Sequence, residues 1–282
     1  MAMANSTELA PSRALSAAEA GTLSAESFRA VTDLFHRVSG IRLGPAKQAL
    51  VAGRLQRLAQ SAGEADMNAY VARLLSGGNE AELTRVVDRL TTNETYFFRE
   101  PQHFQWLARH VAQAGRGELR VWSAASSSGE EAYSLAMVLA EHAAAGWSVL
   151  GTDLSTAMVT AARRALYPLS RARDLPPALL KRWCLKGEGR YEGHLLIAKA
   201  LRQHVEFRTL NLTETLPDLG RFDIVFLRNV LIYFDPPAKV AIVRRVLAQL
   251  KPDGLLFTGH AESLANLDLP VRTVAPAVYA HG

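Results

Sequence analysis

Two hydrophobic rhythms divide this chain. Across 28–90, apolar residues recur at steps of three and four, with Phe28, Val31, Phe35 and Val38 marking one face of a first helix. Gly44-Pro45 opens a second helix, since proline suits an early helical position, and that helix runs to Gly63. A third covers 67–75 and stops at Gly77-Gly78, and a fourth covers 80–90. No strand signal interrupts them, so 25–90 is expected to be an all-helical domain. Residues 1–24, small and polar, are expected to be a mobile tail.

From residue 118 the rhythm changes to short apolar runs alternating with helical stretches. LRVWSAA, WSVLGTD, HVEFRTLNL, RFDIVFLRNV and LLFTGH read as strands. The fourth is almost continuously apolar, as a strand buried on both faces should be. Helices follow SSSG, TDLS and Asp235, the last a good N-cap ahead of Pro236. This alternation predicts a parallel α/β sheet, closed by a late strand pair in VRTVAPAVYAHG. One stretch, about 168–203, breaks the pattern with a short helix and glycine-split segments. It reads as an inserted β-subdomain in which 183–185 and 194–197 pair as a hairpin. The expected organisation is therefore a tail, a helical domain, a linker with an active-site segment over 91–117 and an α/β domain over 118–282.

Composition narrows the classes. The 282 residues are 49% hydrophobic and 21% charged, which excludes collagen-like, coiled-coil and fully disordered chains. The single cysteine, Cys184, allows no intramolecular disulfide and no multi-cysteine zinc site, so no metal is expected. No apolar run reaches the roughly 18 residues of a membrane span, and the N-terminus lacks the signature of a secretory signal. A cytoplasmic location fits these features. The formal charge of +5 permits an acidic partner without pointing to nucleic acid.

Ligands of open α/β sheets bind beyond the carboxyl ends of the strands. After the first strand comes Ser126-Ser127-Ser128-Gly129-Glu130-Glu131, a small-residue turn with carboxylates where a pyrophosphate would otherwise sit. That disfavours nucleotide phosphates and suits S-adenosylmethionine, which carries a sulfonium and an ammonium. Glu131 shares a helical face with Leu135 and Val138 and should point toward the sheet. Asp153, 24 residues past Gly129, stands where a carboxylate can accept ribose hydroxyls. Asn211-Leu212 offers an amide and an apolar group for adenine, and Arg228-Asn229 ends the fourth strand. Taken singly, each has a plainer reading, as a dipole-complementing acid or a turn residue.

TTNETYFFREPQHF (91–104), RVWSAASSSGEEAYSLA (120–136), GTDLS (151–155), RNVLIYFD (228–235) and LKPDGLLFTGHAESL (250–264) together resemble the chemotaxis receptor methyltransferases, the CheR family. The resemblance runs from about residue 25 to the end. It implies a helical domain joined to a Rossmann-like class I methyltransferase domain with a small β-insertion. It also implies methylation of glutamate side chains on cytoplasmic helices of chemoreceptors, leaving S-adenosylhomocysteine. By the same resemblance, Asn93, Thr95, Arg99, Glu131, Asp153, Asn211, Leu212, Arg228 and Asn229 contact the cofactor, and Arg99 and Tyr233 are catalytic candidates.

The residues themselves leave alternatives open. Arg99 can equally form a surface ion pair with Glu100 or a neighbour, and Tyr233 can be a half-buried core aromatic. Asp235-Pro236-Pro237 mimics part of a DNA-methylase motif but reads as a helix cap. A non-catalytic cofactor-sensing adaptor, or a methyltransferase of the same fold with another substrate, stands beside the leading reading. From 34 to 63 the chain has Arg37, Arg42, Lys47, Arg54 and Arg57 and no acid. Lys47, Arg54 and Arg57 fall on one stripe of the second helix, either a solvated face or a dock for an acidic receptor helix. Gly187, Gly189 and Gly193 are spaced like the loop with which some relatives bind a receptor C-terminal tail peptide. No nucleic-acid partner and no membrane insertion are expected.

Overall fold

The computed structural model describes residues 22–77, 79–113, 117–144 and 146–282. Most of the expected tail, and Gly78, therefore lie outside the described residues. The chain forms two compact units, one of residues up to Leu34 with Leu43–Val86, the other of Phe35–Arg42 with Val87–Gly282.

The first unit is helical, built from α1 (Ala25–Ser39), α2 (Gln48–Ser61), α3 (Met67–Leu75) and α4 (Glu80–Leu90), whose outer turns extend into the second unit. Its core follows the helical period: Val51, Leu55 and Leu58 of α2 and Met67, Tyr70, Val71 and Leu74 of α3 are buried. Asp66 caps α3 by accepting the Asn68 and Ala69 N–H groups. Arg73 grips buried Glu82 with two nitrogens at 2.8 and 2.7 Å, and that fork holds the Glu82 carboxyl below its ordinary range. Lys47 departs from expectation. It sits in a 3-10 turn, Pro45–Lys47, ahead of α2, so only Arg54 and Arg57 share a helical face.

The second unit carries α5 (Pro101–Gln113), β1 (Leu119–Ser123), α6 (Glu130–His142), β2 (Trp147–Asp153), α7 (Thr156–Arg164), β3 (Leu166–Pro168), α8 (Pro177–Trp183), β4 (Cys184–Lys186), β5 (His194–Ile197), α9 (Lys199–Arg202), β6 (Val205–Thr209), β7 (Phe222–Leu227), α10 (Pro236–Leu247), β8 (Leu250–Thr258), β9 (Val271–Ala275) and β10 (Val278–His281). The seven-stranded sheet has the order β6-β2-β1-β7-β8-β10-β9. Strands β6 to β8 are parallel and β10 runs against β8. The strand order reverses between β1 and β7, the switch point beyond whose carboxyl ends open α/β sheets bind ligands.

Alternate residues of the central strands feed two cores. Val121, Val149, Ile224, Phe226 and Phe257 pack with α5 and α6 residues such as Phe104, Leu107 and Leu135. Trp122, Leu150, Val225, Leu227 and Leu256 pack with Ile242, Val243 and Val246 of α10. Burial of both faces explains the unbroken apolar run of β7.

Two features depart from expectation. Residues 91–117 are not a plain linker, because Phe104, Leu107 and Val111 form the buried stripe of α5, with Pro101 at its first turn. The insertion is a three-stranded sheet, β3-β5-β4, rather than a lone hairpin. Its third strand, Leu166–Pro168, is too short for a periodicity signal of its own.

Candidate active site

The site grows from the carboxyl ends of β1, β2, β6, β7 and β8 and from the segment 91–100. After β1, Ser127 has a φ of 48° and Gly129 one of 95°, so the loop turns sharply into α6. A Cβ on Gly129 would stand 2.8 Å from the Ala162 Cβ, which is why only glycine fits there. The loop is tied to β2: the Ser126 N–H donates to the Thr152 carbonyl, and the Ser127 N–H to Asp153 Oδ2, both at 2.8 Å. Asp153 Oδ1 accepts from the Ser155 N–H at 2.9 Å. Each Asp153 oxygen therefore retains acceptor capacity. Burial pushes the Asp153 carboxyl up to about 6, against these hydrogen bonds. The buried hydroxyls of Ser126 and Ser127 have no hydrogen-bond partner in the protein. An orphaned hydroxyl on Ser127, whose N–H already meets Asp153, fits a ligand rich in hydroxyl and amino groups.

The two acids opening α6 separate in role. Glu130 is buried against Ser128 Oγ (2.6 Å) and Arg171 (3.2 Å), and burial raises its pKa. Glu131 points to the sheet, as its helical face predicts, and accepts from Ser123 Oγ at 2.7 Å. Its other oxygen meets Arg228 Nη1 at 2.9 Å. Burial pushes the Glu131 carboxyl up, opposed by Arg228 and Ser123.

Arg228 is the hub of the site. Its side chain is 1% exposed and lies between Glu131 and Glu100, whose Oε2 is 3.0 Å from Nη2. The same Nη2 donates to the Arg99 carbonyl at 2.6 Å. The rings of Phe104 and Phe226 lie 5.7 and 5.8 Å from its guanidinium carbon. The expected strand-end ligand thus turns its guanidinium inward, where it is held by the protein itself. Glu100 pairs with Arg228 rather than with Arg99. Arg99 instead donates to the Glu94 carbonyl at 2.6 Å and lies over Tyr96. Phe98 and Glu100 on either side have φ of 55° and 59°, a left-handed backbone that non-glycine residues adopt only under constraint.

Asn229 also has a left-handed φ, 57°, and its Nδ2 donates to Glu100 Oε1 at 3.1 Å. Tyr233 ends a 3-10 turn, Leu231–Tyr233, and is half-buried beside exposed Ile232. Asn93 donates from Nδ2 to Thr91 Oγ1 at 3.2 Å, and the Thr95 carbonyl is held by Arg171. Leu212 is buried against the second core. The Asn211 amide is occupied otherwise than expected. Its Nδ2 donates to the Val38 carbonyl and to Glu214 Oε1, both at 2.8 Å, and its Oδ1 accepts from Thr213. It organises a turn.

Lys47, Arg54 and Arg57 belong to the first unit. Sequence reasoning missed Glu100, His103, Glu262 and Ser123. Glu100 adjoins Arg99 and Glu262 lies in GHAESL, but neither position signals a partner so distant in sequence. His103 is buried, and burial together with Arg228 pushes its pKa down to about 4, so the ring is neutral. Glu100, His103 and His260 bring their donor atoms within 4.8 Å of one another, and Arg228 already supplies the positive charge there.

Comparison with known proteins agrees in both units. Residues 26–91 match the family model described as CheR methyltransferase, all-alpha domain, and 93–279 match CheR methyltransferase, SAM binding domain. The chemotaxis protein methyltransferase of Salmonella typhimurium is 41% identical over 262 residues, covering 92% of this chain and 91% of that protein. That of Escherichia coli is 40% identical over 264 residues, with 92% and 91% covered. Chemotaxis protein methyltransferase 2 of Pseudomonas aeruginosa is 39% identical over 261 residues, with 90% and 92% covered.

Proposed function

This chain belongs to the CheR methyltransferase family, and from that premise we propose that it methylates glutamate side chains on the cytoplasmic helices of chemoreceptors, forming glutamyl methyl esters in chemotaxis. S-adenosylmethionine is its cofactor and S-adenosylhomocysteine the product it leaves. The observation that carries the reading is the cradle at the β1/β7 switch point. Around it stand Asp153 at the end of β2, whose oxygens keep open acceptor positions beside the Ser127 N–H, and Arg228 after β7, which holds Glu131, Glu100 and the Arg99 backbone.

The cofactor supplies an electrophilic methyl group on a positively charged sulfur, so a carboxylate oxygen forms the new O–C bond as the C–S pair returns to sulfur. A glutamate side chain is already ionised at pH 7, so no residue need remove a proton. The protein's task is alignment. Asp153 holds the ribose hydroxyls, while Leu212 and the Asn211 backbone face the adenine. Asn93, Thr95, Glu131, Arg228 and Asn229 complete the cradle, Arg228 through the groups it fixes. Arg99 orients the incoming carboxylate by charge-assisted hydrogen bonds, and Tyr233 sets its hydroxyl beside the methyl path. A clamp that merely held the carboxylate would stabilise the ground state, so the benefit must lie in pose.

Labelled S-adenosylmethionine and a panel of chemoreceptor cytoplasmic fragments test this function. The expected product is base-labile label on one receptor, lost when its acceptor glutamates are changed to alanine. Base-stable label, or cofactor binding with no receptor labelled, would overturn the glutamate reading.

The Asp153 carboxyl gives a pH signature. Its ionised form accepts the ribose hydroxyls and is the minor form below about 6. Cofactor affinity is therefore expected to hold above pH 7 and to fall about tenfold between pH 7 and 5. Asp153→Asn should bind weakly at every pH without that slope. Calorimetry across the range checks it, and a flat wild-type profile would count against the role.

Lys47, Arg54 and Arg57 are proposed to dock the acidic receptor helix, and the absence of any acid from 34 to 63 supports it. Reversing Arg54 and Arg57 to glutamate should raise the receptor KM about tenfold or more at low salt while sparing cofactor affinity. Steady-state kinetics at two ionic strengths measures both. The insertion is proposed to bind a receptor tail peptide. β4 lies at the end of its sheet order, the position from which strand addition proceeds, and calorimetry with such a peptide tests it. Among the described residues no helix is long and apolar enough to cross a membrane, and a cytoplasmic site of action fits the proposed substrate.

A further inference from the structure

We propose that Glu262 is a positioning residue for methyl transfer, fixing the loop that carries Asn229 and Tyr233; the role in catalysis rests on the reading of the site given above. Glu262 follows β8 and is buried. Its Oε2 accepts the N–H of Asn229 at 2.6 Å and that of Gly259 at 2.8 Å. Its Oε1 accepts the N–H of Ile232 at 3.2 Å. Its own backbone is held as well, the N–H donating to the Gly259 carbonyl at 2.8 Å and the carbonyl accepting from Thr258 Oγ1 at 3.0 Å. One carboxylate thus bridges the loops after β7 and β8.

Asn229 is left-handed, a conformation that persists only where surrounding bonds over-determine it. Two residues on, the turn Leu231–Tyr233 reaches the surface, with Ile232 49% exposed. Glu262 holds that turn from below. The fit is close: a Cβ on Gly259 would lie 2.8 Å from Glu262 Oε2 and 2.7 Å from Asn229 Nδ2. All three groups facing the carboxylate are donors, and an ionised carboxylate accepts only. Glutamine has the same shape but presents an NH₂ group to at least one N–H. Its best orientation keeps the oxygen on Asn229 and Gly259 and sets donor against donor at Ile232.

The full-length protein tests this with Glu262→Gln. The kcat for methyl transfer to a receptor fragment is expected to fall on the order of 10–100-fold, as a displacement of about 1 Å at a reacting group suffices for that. Cofactor Kd and the urea midpoint should stay close to wild type, and amide exchange should quicken at Ile232 and Tyr233 only. Glu262→Ala, losing all three bonds, should weaken cofactor binding too. Wild-type kcat together with unchanged exchange at these amides in Glu262→Gln would overturn the proposal. So would faster exchange spread across the whole sheet, which is the mark of a merely structural role. If the wild-type protein labels no receptor, the substrate reading fails instead, and the exchange rates still decide whether Glu262 holds this turn.

Discussion

Replacing Arg228 with leucine is expected to lower the unfolding free energy at pH 8 by about 3–5 kcal/mol and to abolish measurable methyl transfer. The guanidinium is 1% exposed and stands between two carboxylates, Glu131 at 2.9 Å and Glu100 at 3.0 Å. Leucine fills much of the space beside Phe104 and Phe226 but leaves both acids without their shared cation. An uncompensated buried charge is what makes breaking such a network costly. Domains are stable by about 5–15 kcal/mol, so the loss is a large part of the whole.

The pH dependence of that loss identifies its cause. Without Arg228 burial acts unopposed: the Glu131 carboxyl, already raised, rises further, and the Glu100 carboxyl, which Arg228 holds below its ordinary range against burial, rises too. The folded variant then takes up protons as pH falls, and its deficit against wild type shrinks on acidification toward pH 5. Adding Glu131→Gln should recover part of the deficit at pH 8. Urea titrations of the four proteins of this cycle at pH 8 and 5 would reveal it. A leucine variant as stable as wild type at pH 8 would show that the hub carries no such charge balance.

Arg99→Ala is expected to lower kcat/KM for the receptor by about 10²–10³-fold, with a smaller effect, within about tenfold, on cofactor affinity. The acceptor carboxylate loses its charge as the ester forms, so Coulomb attraction to Arg99 weakens along the reaction. The residue therefore acts through orientation. Arg99→Lys separates the two contributions: the charge remains but the planar fork is gone. Receptor KM should recover in the lysine variant while kcat stays low. Recovery of both would show that charge alone matters, and unchanged kcat/KM in Arg99→Ala would remove the residue from the reaction. The Arg99 backbone is held by Arg228 and its side chain by the Glu94 carbonyl, so the substitution should spare the fold.

How much of this was legible beforehand varies from residue to residue. The orientation of Glu131 toward the sheet follows from the helical period it shares with Leu135 and Val138. The strand-end position of Asp153 follows from the plain apolar run of β2. Arg228 was noticed for the same reason, yet its strand-end position did not reveal that its side chain turns inward to Glu131 and Glu100. Asn211 drew attention for its amide, and that amide serves Val38, Thr213 and Glu214 instead. Helix α5 has only the short stripe of Phe104, Leu107 and Val111 to mark it, interrupted by polar residues.

Local pattern along the chain dictates the helical first unit, the parallel strands and the loops that follow them. These follow from the local spacing of apolar residues and from glycine, proline and capping residues, all of which act within a few positions. Only the tertiary structure decided which charges meet. Arg228 finds Glu131 across 97 residues and the Arg99 carbonyl across 129, and Glu262 takes the Asn229 N–H from 33 residues away. Such pairings depend on strand order and on side chains packed between two layers, and no period along the chain records them.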